Sequence, residues 1–240
     1  MTAPKVRLFD TVAPRGALGG TWLDAGPGSD PGWNAYDRRS RTWAVRHLLR
    51  GESRAGPVLD LGCAIGAWAP FWRAEGFPTP LGLDLSERAV VGEISCCADA
   101  TALPFAAASV QTILCVDMLV HILDPDRQAQ VLREVARVLR PGGVVVLSVP
   151  SVLGYRRGRR RLVLRDSVYM TLADARALVR QAGLQGEAER GVHFLESGWW
   201  LWRWLPRTLR YRVGLPLADR LCQRAYRTGA RVLFLKARKP

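Results

Sequence analysis

The chain is poor in histidine, in paired cysteines and in long apolar runs, and each shortage narrows what it can be. Three histidines in 240 residues (His47, His121, His193), none in a His/Asp/Glu cluster at ligand spacing, leave no pattern for a bound metal. The five cysteines (Cys63, Cys96, Cys97, Cys115, Cys222) include no Cys-x-x-Cys pair, which removes zinc-ribbon and thioredoxin-type chemistry. They read as small packing residues of a reducing, cytoplasmic protein. No run of about 18 apolar residues is present, so no membrane span is expected. Residues 1–20 also lack the apolar core of a signal peptide.

Acidic residues are scarce, but only locally. The net charge is +14, yet residues 198–240 hold eleven Lys/Arg against Asp219 alone, and residues 156–165 hold six arginines and no acid. The rest of the chain is nearly balanced. Such confinement points to an anionic partner near those two segments rather than to a uniformly basic solvated surface. With 48% hydrophobic and 23% charged residues the composition is that of one globular domain.

The middle of the chain alternates strand and helix patterns, which specifies an α/β architecture with a mainly parallel sheet. Apolar runs at 57–61, 80–85, 93–97, 111–116 and 143–149 give five strands, and 187–194 and 230–236 give two more. Between strands four and five, Val131, Leu132, Val135, Val138 and Leu139 fall on one face of a helix that Arg140-Pro141-Gly142-Gly143 stops. Helices are also read at 171–182 and 216–227, the latter in a long Trp/Arg-rich connection between the last two strands. One domain is expected. It divides into a cap (1–50), a central core (51–150), a basic insertion (151–170) and a second half (171–240) that carries the inserted segment 196–229.

Strand one runs through Asp60 into Leu61-Gly62-Cys63-Ala64-Ile65-Gly66, a turn whose glycines let backbone approach a ligand and whose following helix favours negative charge. Strand two ends in Asp84, 22 residues beyond Gly62, where a carboxylate can accept from two ribose hydroxyls. The segment Asp99-Ala100-Thr101-Ala102-Leu103-Pro104-Phe105 follows strand three. Strand four runs through Cys115 and Val116 into Asp117-Met118-Leu119-Val120-His121. The Gly62-x-x-x-Gly66 spacing does not supply the Gly-x-Gly-x-x-Gly of a nicotinamide site.

These ordered motifs resemble the class I S-adenosylmethionine-dependent methyltransferase superfamily, especially its branch acting on quinones, lipids and other small molecules. The resemblance covers Tyr36 to Val149 and, more loosely, the helix of 169–182. It implies a Rossmann-like, mostly parallel seven-stranded sheet flanked by helices, with S-adenosylmethionine as cofactor. Asp60, Gly62, Cys63 and Gly66 would lie along the methionine and ribose, Asp84 on the ribose hydroxyls, and Leu85 on the adenine. Asp99 and Ala100 would meet the adenine edge, Cys115 and Val116 the methionine, and Tyr36 the methionine carboxylate. Ala64 stands where the family usually has glycine. His121 sits where that branch often places a histidine toward the acceptor, as general base or as a helix cap, and Asp117 is a second candidate base.

The stretch GWWLWRWLPRTLRYRV (198–213) leaves three readings open. Trp199, Trp200, Trp202 and Trp204 could form a lid over the acceptor pocket. Interleaved with arginines, they could also meet a membrane surface or stack on nucleic acid. The arginines of 156–165 are a solvated loop or a clamp for an anionic substrate. The expected activity is methyl transfer to a small, hydrophobic or lipid-linked acceptor, in the cytoplasm or at the inner face of a membrane. An RNA methyltransferase and a non-catalytic cofactor-binding protein are the alternatives.

Overall fold

A computed structural model describes residues 31–87, 94–152, 161–164, 167–194, 204–222 and 229–240. The first 30 residues of the cap, most of the 156–165 arginine cluster, Trp199, Trp200 and Trp202, and the end of the 216–227 helix lie outside the described residues.

The elements follow in the order α1 (Pro31–Leu48), β1 (Val58–Leu61), α2 (Ala69–Ala74), β2 (Leu81–Asp84), β3 (Ser95–Cys97) and β4 (Val110–Cys115). A 3-10 turn (Leu119–His121), α3 (Pro125–Val138), β5 (Leu139–Pro150), β6 (Arg161–Leu164), β7 (Ser167–Met170), α4 (Leu172–Gln181) and β8 (Gln185–Val192) come next. One helical turn (Arg207–Leu209), a π turn (Arg210–Gly214), α5 (Leu215–Leu221) and β9 (Val232–Arg238) complete it.

Seven strands form one sheet in the order β3-β2-β1-β4-β5-β9-β8. β1 pairs in parallel with β2 (Leu59 with Leu81) and with β4 (Leu59 with Ile113), whereas β9 runs antiparallel between β5 and β8. The chain therefore winds outward from β1 in one direction, then restarts at β4 in the other. That reversal opens a crevice at the carboxyl ends of β1 and β4, where ligands of such sheets bind.

The sheet is covered on both faces, which explains its near-continuous apolar strands. Alternate residues of β5 show this. Val145, Leu147 and Val149 enter a core shared with α3 and α4, while Val144 and Val146 enter one shared with Ala44, Val45 and Leu48 of α1 and Trp72 of α2. Asp124 caps α3 by accepting from the Asp126 amide at 2.9 Å, and Pro125 opens its first turn. Val131, Leu132, Val135 and Val138 form its buried face, as their spacing predicts.

Two elements differ from the sequence expectation. β5 begins at Leu139, directly after α3, because a bulge between Val110 and Thr112 lets β4 pair past the Arg140–Gly143 corner. The basic insertion also carries an antiparallel hairpin, β6–β7, with Leu162 opposite Tyr169. Its alternation was hidden because Arg161 belongs to the arginine run.

Candidate active site

The site is built around the turn that leaves β1. The amides of Gly62 and Cys63 both donate to the Leu83 carbonyl, at 2.7 and 3.0 Å, which carries the β1–β2 pairing into the turn. Gly62 has φ +78°, and a Cβ there would sit 2.5 Å from Met118, so the turn lies directly against the segment leaving β4. Gly66 has φ +75° with open space where a Cβ would point, so its backbone is uncovered on that side. Ala64, the departure from the family pattern, has φ +44°: it keeps the glycine-like left-handed conformation despite its methyl group. Left-handed geometry costs such a residue about 1 kcal/mol. A 3.0 Å hydrogen bond from its amide to Asp84 Oδ2 holds it.

Asp84 thus joins the two strand ends. Its other oxygen accepts from the Ser86 amide at 3.0 Å, and each oxygen keeps a lone pair for a further donor. Asp60 is buried beneath the turn. Burial first, and then the Asp84 charge, push its carboxyl up to about 7. Cys63 and Cys115 are held as neutral thiols, both pushed up to about 12 chiefly by burial. The Cys63 side chain packs on Gly82 rather than over the crevice. Leu85, half exposed, stands immediately after Asp84, and Val116 is half buried after β4.

The Ala98 amide donates to the Asp84 carbonyl at 2.9 Å, which sets Asp99 and Ala100 beside the β2 end. Burial raises the Asp99 carboxyl, but hydrogen bonds from the Thr101 amide and hydroxyl and the Arg127 guanidinium at 2.7 Å outweigh it, leaving the carboxyl below its usual range. Two residues missed in the sequence fix this loop from α3. Glu134 accepts from the Leu103 amide at 2.8 Å, and Arg137 donates to the Leu103 and Phe105 carbonyls at 2.9 Å each. Their three-residue spacing on one helix face was the available signal.

Two candidates are engaged by side chains of the protein itself. Tyr36, expected at the cofactor's carboxylate, is 1% exposed and gives its hydroxyl to Asp219 Oδ2 at 3.0 Å, across the α1–α5 contact. Asp117, offered as a base, is tied down. Its amide donates to Ser148 Oγ and that hydroxyl donates back to Asp117 Oδ1, both at 2.9 Å, while Arg41 pairs with Oδ2 at 2.5 Å. Its φ of +56° is held by these contacts. His121 closes the 3-10 turn after β4, half buried, with its amide on the Met118 carbonyl at 3.0 Å.

Behind Asp117 runs a buried polar chain that no linear motif announced. Arg41 Nε also binds Asp37 Oδ1 at 2.8 Å, and His193 Nε2 lies 3.1 Å from the same oxygen. Burial alone raises the Asp37 carboxyl, but Arg41 and His193 outweigh it and bring it down to about 2. The His193 amide, in a left-handed residue, donates to Asp219 Oδ1 at 2.9 Å. Cap helix α1, the β8 end and α5 are thereby connected to the β4 end by charge. Among the described residues no His/Cys/Asp/Glu group could hold a metal ion.

This sheet order, with a left-handed turn after β1 facing carboxylates at the ends of β1 and β2, defines the class I methyltransferase fold. Residues 59–147 match the family described as "Methyltransferase domain". The methyltransferase GfsG of Streptomyces halstedii is 32% identical over 149 residues, covering 53% of this chain and 52% of that protein. The 27-O-demethylrifamycin SV methyltransferase of Amycolatopsis mediterranei is 32% identical over 163 residues, 58% of each chain. The match thus spans little more than half the length of these two curated relatives. A chain from the complex of the Haloferax volcanii Trm112 methyltransferase activator with its methyltransferase superposes with a TM-score of 0.58 at 22% identity, over 87% of this chain and 97% of that one. The likeness to the methyltransferase domain family thus covers residues 59–147, and the fold is that of solved methyltransferases.

Proposed function

We propose that this chain transfers a methyl group from S-adenosylmethionine to a small acceptor that is hydrophobic or lipid-linked. One observation carries the reading: the Ala64 amide, the Asp84 carboxylate and the buried Asp60 gather at the carboxyl ends of β1 and β2, next to the point where the winding of the sheet reverses. The residues fit the cofactor. The open backbone at Gly66 gives room, Asp84 has lone pairs for ribose hydroxyls, and Leu85 offers an apolar surface beside it. Asp60, held near neutrality, would be favoured in its charged form by a cationic group bound nearby. Asp99 and Ala100 would take the adenine edge, and the backbone of Gly62, Cys63, Cys115 and Val116 would line the methionine.

When bound, the cofactor supplies an electrophilic methyl on a sulfonium leaving group. What remains for the chain is to hold the acceptor in line and exclude water. With Asp117 committed to Arg41 and Ser148, His121 is the candidate base for a hydroxyl or ring-carbon acceptor. A small acceptor agrees with the relative that acts on 27-O-demethylrifamycin SV.

Titration calorimetry with S-adenosylmethionine tests the reading. Wild-type protein binds, and Asp84→Ala weakens binding at least about tenfold through lost charge-assisted hydrogen bonds. Unchanged affinity in that variant overturns the assignment. Binding without S-adenosylhomocysteine formation on any acceptor pool would instead make the chain a non-catalytic cofactor-binding protein. An RNA acceptor is the second reading, favoured by the base excess of 198–240 and tested by a steep salt dependence of RNA affinity.

A further inference from the structure

We propose that the outward face of the 204–222 segment is a docking surface for an anionic lipid bilayer. Leu209, Val213, Leu217 and Leu221 recur at four-residue steps and are 47%, 52%, 50% and 72% exposed. The opposite face of the same segment is already spent. Tyr211, Leu215 and Ala218 are buried, Tyr211 and Leu215 in a cluster with Tyr36 and Trp33 of α1, and Asp219 is hydrogen-bonded to Tyr36 and to the end of β8. A surface helix ordinarily buries one apolar stripe and turns polar residues outward. This one has a second apolar stripe in excess of what its core contact uses.

The winding keeps that stripe together. A four-residue step overshoots the 3.6-residue turn of an α-helix by about 40°, so such a row drifts around the axis. The π turn at Arg210–Gly214 is wound more widely and offsets the drift midway, where Val213 falls.

Charge selects the occupant. Arg212 and Arg220 are exposed beside the stripe, and Asp219, the one acid within 204–222, is buried. A second copy of the chain would set these arginines against their own counterparts. Nucleic acid would engage the arginines and leave four aliphatic side chains without a partner, since bases stack on aromatic and guanidinium planes. A bilayer with anionic headgroups satisfies both sets at once: aliphatic side chains enter the acyl boundary and guanidinium groups meet phosphate. Trp204, 82% exposed at the head of the stripe, is placed for the headgroup layer.

The surface lies outside the cofactor site, so vesicle binding and S-adenosylmethionine binding succeed or fail separately. The test is co-sedimentation of the full chain with vesicles of phosphatidylcholine alone and of phosphatidylcholine mixed with phosphatidylglycerol, at low and high salt. Wild-type protein pellets with the anionic vesicles and less so at high salt. Combined Leu209→Ser, Val213→Ser, Leu217→Ser and Leu221→Ser weakens that binding at least about tenfold, because four apolar side chains no longer leave water. Arg212→Gln with Arg220→Gln lowers the preference for the anionic vesicles. Leu217→Ser alone, checked by circular dichroism, shows a smaller loss in the same direction should the fourfold variant misfold. Undiminished vesicle binding in a folded stripe variant overturns the proposal. So does wild-type protein that binds RNA or dimerises through this face while ignoring every vesicle.

Discussion

Asp60→Asn is the substitution that most directly interrogates the turn after β1. The wild-type carboxyl rises from 3.8 in the unfolded chain to about 7 in the fold, because burial and the neighbouring Asp84 both disfavour its charge. The folded state therefore holds a proton that the unfolded state releases, and stability falls as pH rises between those two values. At about 1.4 kcal/mol per pH unit the group costs the fold about 4 kcal/mol once pH exceeds 7, and about 3 kcal/mol of that accrues above pH 5. Asn cannot ionise, so its buried amide adds only a pH-independent offset. Urea unfolding of both proteins at pH 5 and pH 8 should show the stability difference shifting by about 3 kcal/mol in favour of Asp60→Asn at the higher pH. The same charge gives a second readout. The cationic cofactor should bind wild type more tightly as pH rises through about 7, and Asp60→Asn should flatten that dependence. A stability difference identical at both pH values would refute the reasoning, since it would mean that Asp60 titrates alike in the folded and unfolded chains.

The two glycines of the turn should respond differently to alanine. Gly62→Ala adds both left-handed strain and a clash with Met118, and should lose about 2–4 kcal/mol by denaturant titration. Gly66→Ala meets only the strain and should lose about 1 kcal/mol; equal losses would contradict the close approach to Met118. Arg41→Ala strands two carboxylates, Asp37 and Asp117, and should cost about 3–5 kcal/mol. Asp117→Asn keeps a side chain able to reach Ser148 and should cost less, an order that thermal denaturation of the two variants will establish.

The first half of the sheet was readable because each parallel strand is a short apolar run closed by glycine, proline or aspartate. β1, β2 and β4 all fall within a residue or two of their expected ends. α3 was equally open, since Val131, Leu132, Val135 and Val138 repeat with the helical period. The left-handed conformation of Ala64 was not legible, since a Cβ ordinarily disfavours it and the bond that its amide donates to Asp84 is long-range. What stayed hidden lies in α1. Tyr36, Asp37 and Arg41 are polar residues with no apolar rhythm to mark them, and their partners Asp219, His193 and Asp117 stand far away in the chain. No local pattern could have shown that Asp117, which looks like a free strand-end acid, is already neutralised by an arginine 76 residues before it. The π turn was hidden for another reason: its departure from α geometry shows in hydrogen bonding and not in residue type.

The seating of β9 has a temporal consequence. Its residues, Val232–Arg238, pair on one side with β5 and on the other with β8, both of which leave the ribosome earlier. Until β9 slides between them, two rows of backbone amides and carbonyls wait unpaired, each a template for a stray strand from a neighbouring nascent chain. Synthesis therefore carries an aggregation hazard in the interval after β8 is made, while the sheet still lacks the rung that joins β5 to β8.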